Sequence, residues 1–176
     1  MTDDCVFEAS DERQLREKLR EQSDLVDCPC FAEQFIEGRE FNLAVLGTPD
    51  GPIVLPPAEI DFTSFPLGKP RIVGYNAKWV SDSLEYRSTP RRFPCAPGSE
   101  DFELGQQLAA LTRRCWDVFV LRGYARVDFR VDHDGNPWIL EINANPCLSP
   151  DAGFVAALQE AEIPLDQAIQ SILDDT

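Results

Sequence analysis

The chain has one histidine, His133, no CxxC pair among its six cysteines, and no apolar run that approaches a membrane span. A single histidine argues against a His-dependent zinc site and against a Ser-His-Asp triad. Placed beside Asp134-Gly135, His133 reads as a turn residue. The opening MTDDCVFEAS has neither a basic start nor an apolar core, so it is not a signal peptide. Without secretory signals the cysteines are expected reduced and the protein cytoplasmic, with no membrane partner. Basic side chains are also scarce: 16 Lys and Arg against 31 Asp and Glu leave a net charge of −15. That argues against nucleic acid as a partner, because binding a phosphate backbone needs a basic surface. A small anionic ligand still fits, since a few local cations suffice, and most of the acidity reads as solvated surface.

At 176 residues, with 43% apolar and 27% charged residues, the chain suits one globular domain with a real core. Ser10 is placed to cap a helix through DERQLREKLREQ, with Leu15 and Leu19 inward. The stretch 30–47, CFAEQFIEGREFNLAVLG, predicts two strands joined at Glu37-Gly38, with Phe41, Leu43 and Val45 on one face of the second. Pro56 and Pro57 limit PIVLP to a short edge strand or loop. RIVGYNAKWVSD (71–82) predicts a further strand running into a loop, and 83–99 reads as irregular. Ser99 is the expected cap of a long helix whose inward stripe is Leu104, Leu108, Leu111 and Cys115. Two helices follow the last hairpin, one around 152–161 and one from Pro164. The order of elements predicts an α+β fold with a mainly antiparallel sheet flanked by helices.

That hairpin, RVDFRVDHDGNPWILEINANP (126–146), carries the chemistry. A turn at Asp134-Gly135 sets Val127 against Ile142, Phe129 against Leu140 and Val131 against Trp138, an apolar face for the core. The other face sets Arg126 against Asn143, Asp128 against Glu141 and Arg130 against Ile139. Opposed like charges are unfavourable in a sheet. A shared proton, nearby cations or a bound metal can relieve them. The plainer alternative is an exposed pair neutralised by Arg126 and Arg130. Asn143 adds a third hard oxygen on the same face, which favours Mg²⁺ over zinc and, through Mg²⁺, a nucleotide. Lys78 and Arg126 can bind phosphate. Glu33 and Glu40 can accept hydrogen bonds from a base amine and ribose hydroxyls.

Four segments in order, AEQFIEGREFNLAVLG, YNAKWVSD, GYARVDFRVDHDGNPWILEINANP and LSPDAGFVAAL, resemble the ATP-grasp ligases, in particular the C-terminal part of the D-alanine–D-alanine ligase branch. The resemblance implies a ligase that joins a carboxylate to an amine through an acyl phosphate, with ATP and Mg²⁺ (or Mn²⁺) as cofactors and small amino-acid-like substrates. It implies that Glu33 reads the adenine amine, Gln34 and Ile36 follow the adenine edge, and Glu40 holds the ribose. Lys78 is implied at the transferring phosphate, Arg126 at the oxyanion of the intermediate, and Asp128, Glu141 and Asn143 as metal ligands. Ser149 is the implied second-substrate contact. Cys147 stands where the family usually has glycine, so it is a candidate for substrate choice.

The same comparison of motifs places the chain as a single domain, the C-terminal part of an ATP-grasp domain. The N-terminal substrate domain and the ATP-clamping lobe are expected to be absent. A second chain or lobe, or a second copy, is the expected partner that completes the site, and the chain alone is expected to be inactive or nearly so. Two alternatives stand beside this: a non-catalytic nucleotide-binding or interaction module derived from such a ligase, and an ATP-grasp ligase with other substrates.

Overall fold

The computed structural model describes residues 7, 9–74, 77, 78, 80 and 82–175. They fall into two compact units, one of residues 1–35 and 62–90 and one of residues 36–61 and 91–176, and each is described by itself.

The second unit is built on β1 (Arg39–Leu46), which pairs on both edges. Its whole length runs antiparallel to β5 (Tyr124–Val131). Its other edge takes β2 (Ile53–Val54) and β3 (Ala58–Ile60), also antiparallel. β4 (Arg91–Arg92) extends the sheet beyond β3, and β6 (Pro137–Asn143) extends it beyond β5. The predicted α+β class with an antiparallel sheet is therefore what forms.

Alternation along β1 sorts its side chains. Phe41, Leu43 and Val45 face α3 (Phe102–Val118), as predicted, and are fully buried. Phe41 and Leu43 join Val127, Phe129 and Val131 of β5 and Leu108 and Cys115 of α3 in one core, with Leu104 and Leu111 packed against it. Val45 packs with Trp116 and Ala125 beside it. On the opposite face Ala44 and Leu46 meet Phe154, Ala157 and Leu158 of α4 (Gly153–Glu160) and Ala168 of α5 (Leu165–Asp175). These two helices lie close to where the sequence predicts them. They cover only one end of that face. The other end carries Glu40 and Asn42 and is polar.

Several sequence expectations are corrected. Only the second strand of 30–47 forms, because both edges of β1 are already occupied by β5, β2 and β3. Residues 71–74 are not a strand and Ala77 and Lys78 are helical; residues 75, 76, 79 and 81 of that segment lie outside the described residues. The nominally irregular 83–99 contains α2 (Leu84–Arg87) and β4.

Both predicted helix caps also move. In the first unit, α1 (Glu12–Val26) is capped by Asp11, whose carboxylate accepts the Gln14 N–H at 2.8 Å. Ser10 instead donates its N–H to Gln14 Oε1. An anionic cap adds favourable interaction with the helix dipole. Leu15 and Leu19 are half-buried and none of the helix is fully buried, in keeping with its charge. For α3 the capping position falls to Asp101, and the buried Ser99 hydroxyl has no partner among the described residues. Asp101 makes no cap bond because Arg39 holds both its oxygens at 2.7 Å. The same guanidinium holds both oxygens of buried Glu59 at 2.8 Å, and so ties β1 and β3 to the start of α3. Hydrogen bonding to Arg39 keeps Asp101 below the usual carboxylate pKa.

Candidate nucleotide and metal site

The predicted hairpin register holds at the site and breaks beyond it. Arg126 faces Asn143, Val127 faces Ile142 and Asp128 faces Glu141. Between Asp128 and Phe129 the pairing shifts by one, so that Phe129 faces Ile139, Arg130 faces Trp138 and Val131 faces Pro137. Leu140 is the extra residue of a β-bulge. The predicted pairs Phe129–Leu140, Val131–Trp138 and Arg130–Ile139 therefore do not form. Nor is the apolar face wholly covered: Val127, Phe129 and Val131 are buried, but Ile139, which now faces Phe129, remains 47% exposed. A signal was present, since Trp138, Ile139 and Leu140 are three consecutive apolar residues and cannot alternate. Bulges commonly re-aim a side chain next to an active site, and this one immediately precedes Glu141.

The turn is wider than Asp134-Gly135 alone. Asp132 N–H donates to the Asn136 carbonyl at 3.1 Å, and Gly135 adopts φ +81°. Asp132 accepts from Asn136, from the Asp134 N–H and from the Trp138 indole at 2.9 Å. These bonds, the Trp138 bond foremost, lower its pKa to about 2. His133 is exposed at the tip and stands 3.9 Å from Glu37, as a turn residue would.

Asp128 is buried, and its charge is met from two residues away on the same strand. Arg126 donates Nε to Asp128 Oδ1 and Nη2 to Oδ2, both at 2.7 Å, and Nη2 lies 3.8 Å from Glu141 Oε1. Burial alone would lower the pKa of Arg126. The bonds to Asp128 and the charges of Asp128, Glu141 and Glu40 outweigh it, so the pKa is raised. Glu141 is half-exposed. Asn143 Oδ1 accepts the Asn145 N–H at 2.9 Å, and Asn145 in turn accepts from the Tyr124 hydroxyl at 2.6 Å. That chain of bonds fixes the Asn143 amide.

These donors suit a hard cation. A carboxylate has about four acceptor sites and an amide oxygen two. Asp128 thus keeps acceptor capacity beside Arg126, Asn143 keeps one lone pair, and the Glu141 carboxylate is open to solvent. All three offer oxygen, which matches Mg²⁺ or Mn²⁺. Among the described residues no group of three His, Cys, Asp or Glu is placed to hold a metal ion.

The remaining candidates are placed as follows. Glu40 is buried and its Oε2 lies 3.2 Å from Arg130 Nη1; Arg130 Nε donates to the Ile36 carbonyl at 2.9 Å. The sequence reading did not anticipate this Glu40–Arg130 pair, although both residues fall on the polar phase of their strands. Ile36 is half-buried. Cys147 and Ser149 are exposed on the loop after β6, with Sγ and Oγ 3.1 Å apart, and the Ser149 bond lowers the Cys147 pKa. Glu33, Gln34 and Lys78 are exposed residues of the first unit, so the charged cluster just described is formed without them.

The family model for the D-ala D-ala ligase C-terminus matches residues 5–174. The chain belongs to this family. It is 33% identical over 151 residues to a D-alanine–D-alanine ligase of Stutzerimonas stutzeri, covering 85% of this chain and 42% of that relative. A D-alanine–D-alanine ligase of Bordetella petrii is 36% identical over 142 residues, covering 78% of this chain and 39% of the relative. The chain thus spans about two fifths of the length of these ligases. The fold matches the Bacillus anthracis D-alanine–D-alanine ligase complexed with ATP, with a TM-score of 0.67 at 21% identity over 94% of this chain and 46% of that one. Among the described residues no helix is long and apolar enough to cross a membrane.

Proposed function

We propose that the chain is the metal- and nucleotide-binding part of an ATP-dependent carboxylate–amine ligase of the D-alanine–D-alanine type. The observation that carries this is the opposition of Asp128 and Glu141 across β5 and β6, with Arg126 bridging toward both and Asn143 one row on. In this reading Asp128, Glu141 and Asn143 hold Mg²⁺ or Mn²⁺, which neutralises phosphate charge. Arg126 is pre-set beside the ligands by its bond to Asp128 and offers its cationic edge to the oxyanion formed when the amine attacks the acyl phosphate. Lys78 meets the transferring phosphate, and Glu33, Gln34 and Ile36 meet the adenine. Glu40 meets the ribose while sharing its carboxylate with Arg130. Ser149 and the Cys147 loop face the second substrate.

ATP, small amino acids and a second chain or lobe are the partners of this reading. Its test has two stages. Calorimetry on the chain alone is expected to detect weak, Mg²⁺-dependent ATP or ADP binding. Adding the N-terminal part of a related ligase as a separate chain is then expected to raise ADP release with candidate amino acids. Metal-dependent binding with no rate gain under any substrate would favour a nucleotide-binding module instead. No binding by the folded chain would count against both.

A further inference from the structure

On the face of the sheet that carries the site, side chains line up in rows across β1, β5 and β6. Glu40 aligns with Arg130 and Trp138, Asn42 with Asp128 and Glu141, and Ala44 with Arg126 and Asn143. Neighbouring strands lie about 4.7–4.9 Å apart. Asn42 therefore flanks Asp128 on the side away from Glu141. Its phase along β1 is set by Phe41 and Leu43, which are fully buried on the other face.

Asn42 differs from the other polar residues of these rows. Asp128 is satisfied by Arg126 and Glu40 by Arg130. Asn42 is half-buried, and among the described residues its side-chain amide has no hydrogen-bond partner. Its neighbour on the β3 side is Ala58, which has no polar side chain to offer. The Asn42 amide is not sealed from solvent, so its acceptor is open to water, including water carried by a ligand. Asn42 stands in the row of Asp128 and Glu141, on their face of the sheet.

We infer that Asn42 is a positioning residue for the metal: its Oδ1 accepts a hydrogen bond from a water carried by Mg²⁺ or Mn²⁺ at Asp128. The inference rests on the proposed reading of the site. Mg²⁺ keeps several of its waters when protein-bound. Asn42 stands one strand beyond Asp128, too far along the row to share an ion directly with Glu141, but its amide is beside the Asp128 flank where such a water would sit. Residues that orient ligands from outside typically change metal affinity by about 10–100-fold when removed.

The test is Mn²⁺ binding to the full chain in the presence of ADP, followed by the electron paramagnetic resonance signal of free Mn²⁺, with metal-free melting measured in parallel. Asn42→Leu removes the acceptor and is expected to weaken Mn²⁺ binding by about 10-fold or more. Asn42→Asp keeps the acceptor, so it should bind Mn²⁺ at least as tightly as wild type. It should also melt lower without metal, because a further carboxylate then stands beside Asp128. A merely structural role would make Asn42→Asp the worse variant in both measurements. Wild-type affinity in Asn42→Leu, or loss of binding in a folded Asn42→Asp, overturns the inference. If Asn42→Leu does not fold, Asn42→Asp decides alone. Wild type that binds no Mn²⁺ with ADP overturns the proposed site itself, and the inference with it.

Discussion

Arg126 holds both carboxylate oxygens of Asp128 at 2.7 Å from a position two residues earlier on the same strand. The anion is thereby kept in a buried place before any ligand arrives. Replacing Arg126 by Leu leaves Asp128 buried without its cation, and breaking a buried pair from one side costs about 3–5 kcal/mol. Urea unfolding of Arg126→Leu without metal should register a loss of that order. Added Mg²⁺ should then stabilise the variant more than it stabilises wild type, because the ion supplies the missing positive charge. Equal stabilisation of both would argue against Asp128 as a ligand.

Glu141→Gln removes one of the two opposed carboxylates. Repulsion across the strands falls, so the metal-free protein should melt no lower than wild type, while calorimetry should find Mg²⁺-dependent nucleotide binding abolished. A marked drop in metal-free stability would assign Glu141 a structural role instead.

Asp132 titrates at about 2 because the folded state bonds its anion, most of all through the Trp138 indole. A depressed folded pKa contributes stability above the ordinary carboxylate pKa and loses it as pH falls through the folded value. The Trp138 indole N–H resonance in a nitrogen–proton spectrum should therefore stay constant above about pH 4 and move as pH falls toward about 2. In Asp132→Asn this acid-side movement should vanish.

Gly38 adopts φ +139°, and a Cβ there would stand 2.0 Å from the carbonyl oxygen of Val131. Both the conformation and the contact exclude a side chain. Gly38→Ala should cost at least about 1–3 kcal/mol in thermal or urea unfolding, because β1 begins one residue later and must keep its pairing with Val131.

Much of the fold and site is legible in the chain because alternation is strict along β5 and holds through the first half of β1. Phe41, Leu43, Val127 and Phe129 announce the buried face, and the Asp-Gly turn nearly sets the register that opposes Asp128 to Glu141. What could not be read has physical causes. Pairing partners are a tertiary matter, so the apolar residues near Phe31 and Phe35 suggest a strand that the filled edges of β1 do not accept. A bulge adds a single residue and hides inside the run Trp138–Leu140. Caps are decided by competition, and Arg39 takes Asp101 out of capping α3. The buried Glu40–Arg130 pair depends on two strands far apart in sequence.

β1 is one residue thick between two different demands. Phe41 and Leu43 press on α3, while Glu40 and Asn42, their immediate neighbours in the chain, stand on the polar face. Trimming Leu43 to Ala would open a void against α3 that the strand relaxes into only in part. That relaxation moves the same backbone from which Asn42 projects. Ligand affinity should thus respond to substitutions on the helix side that touch no ligand, and the interior packing of this sheet sets the spacing of the oxygens on its outer surface.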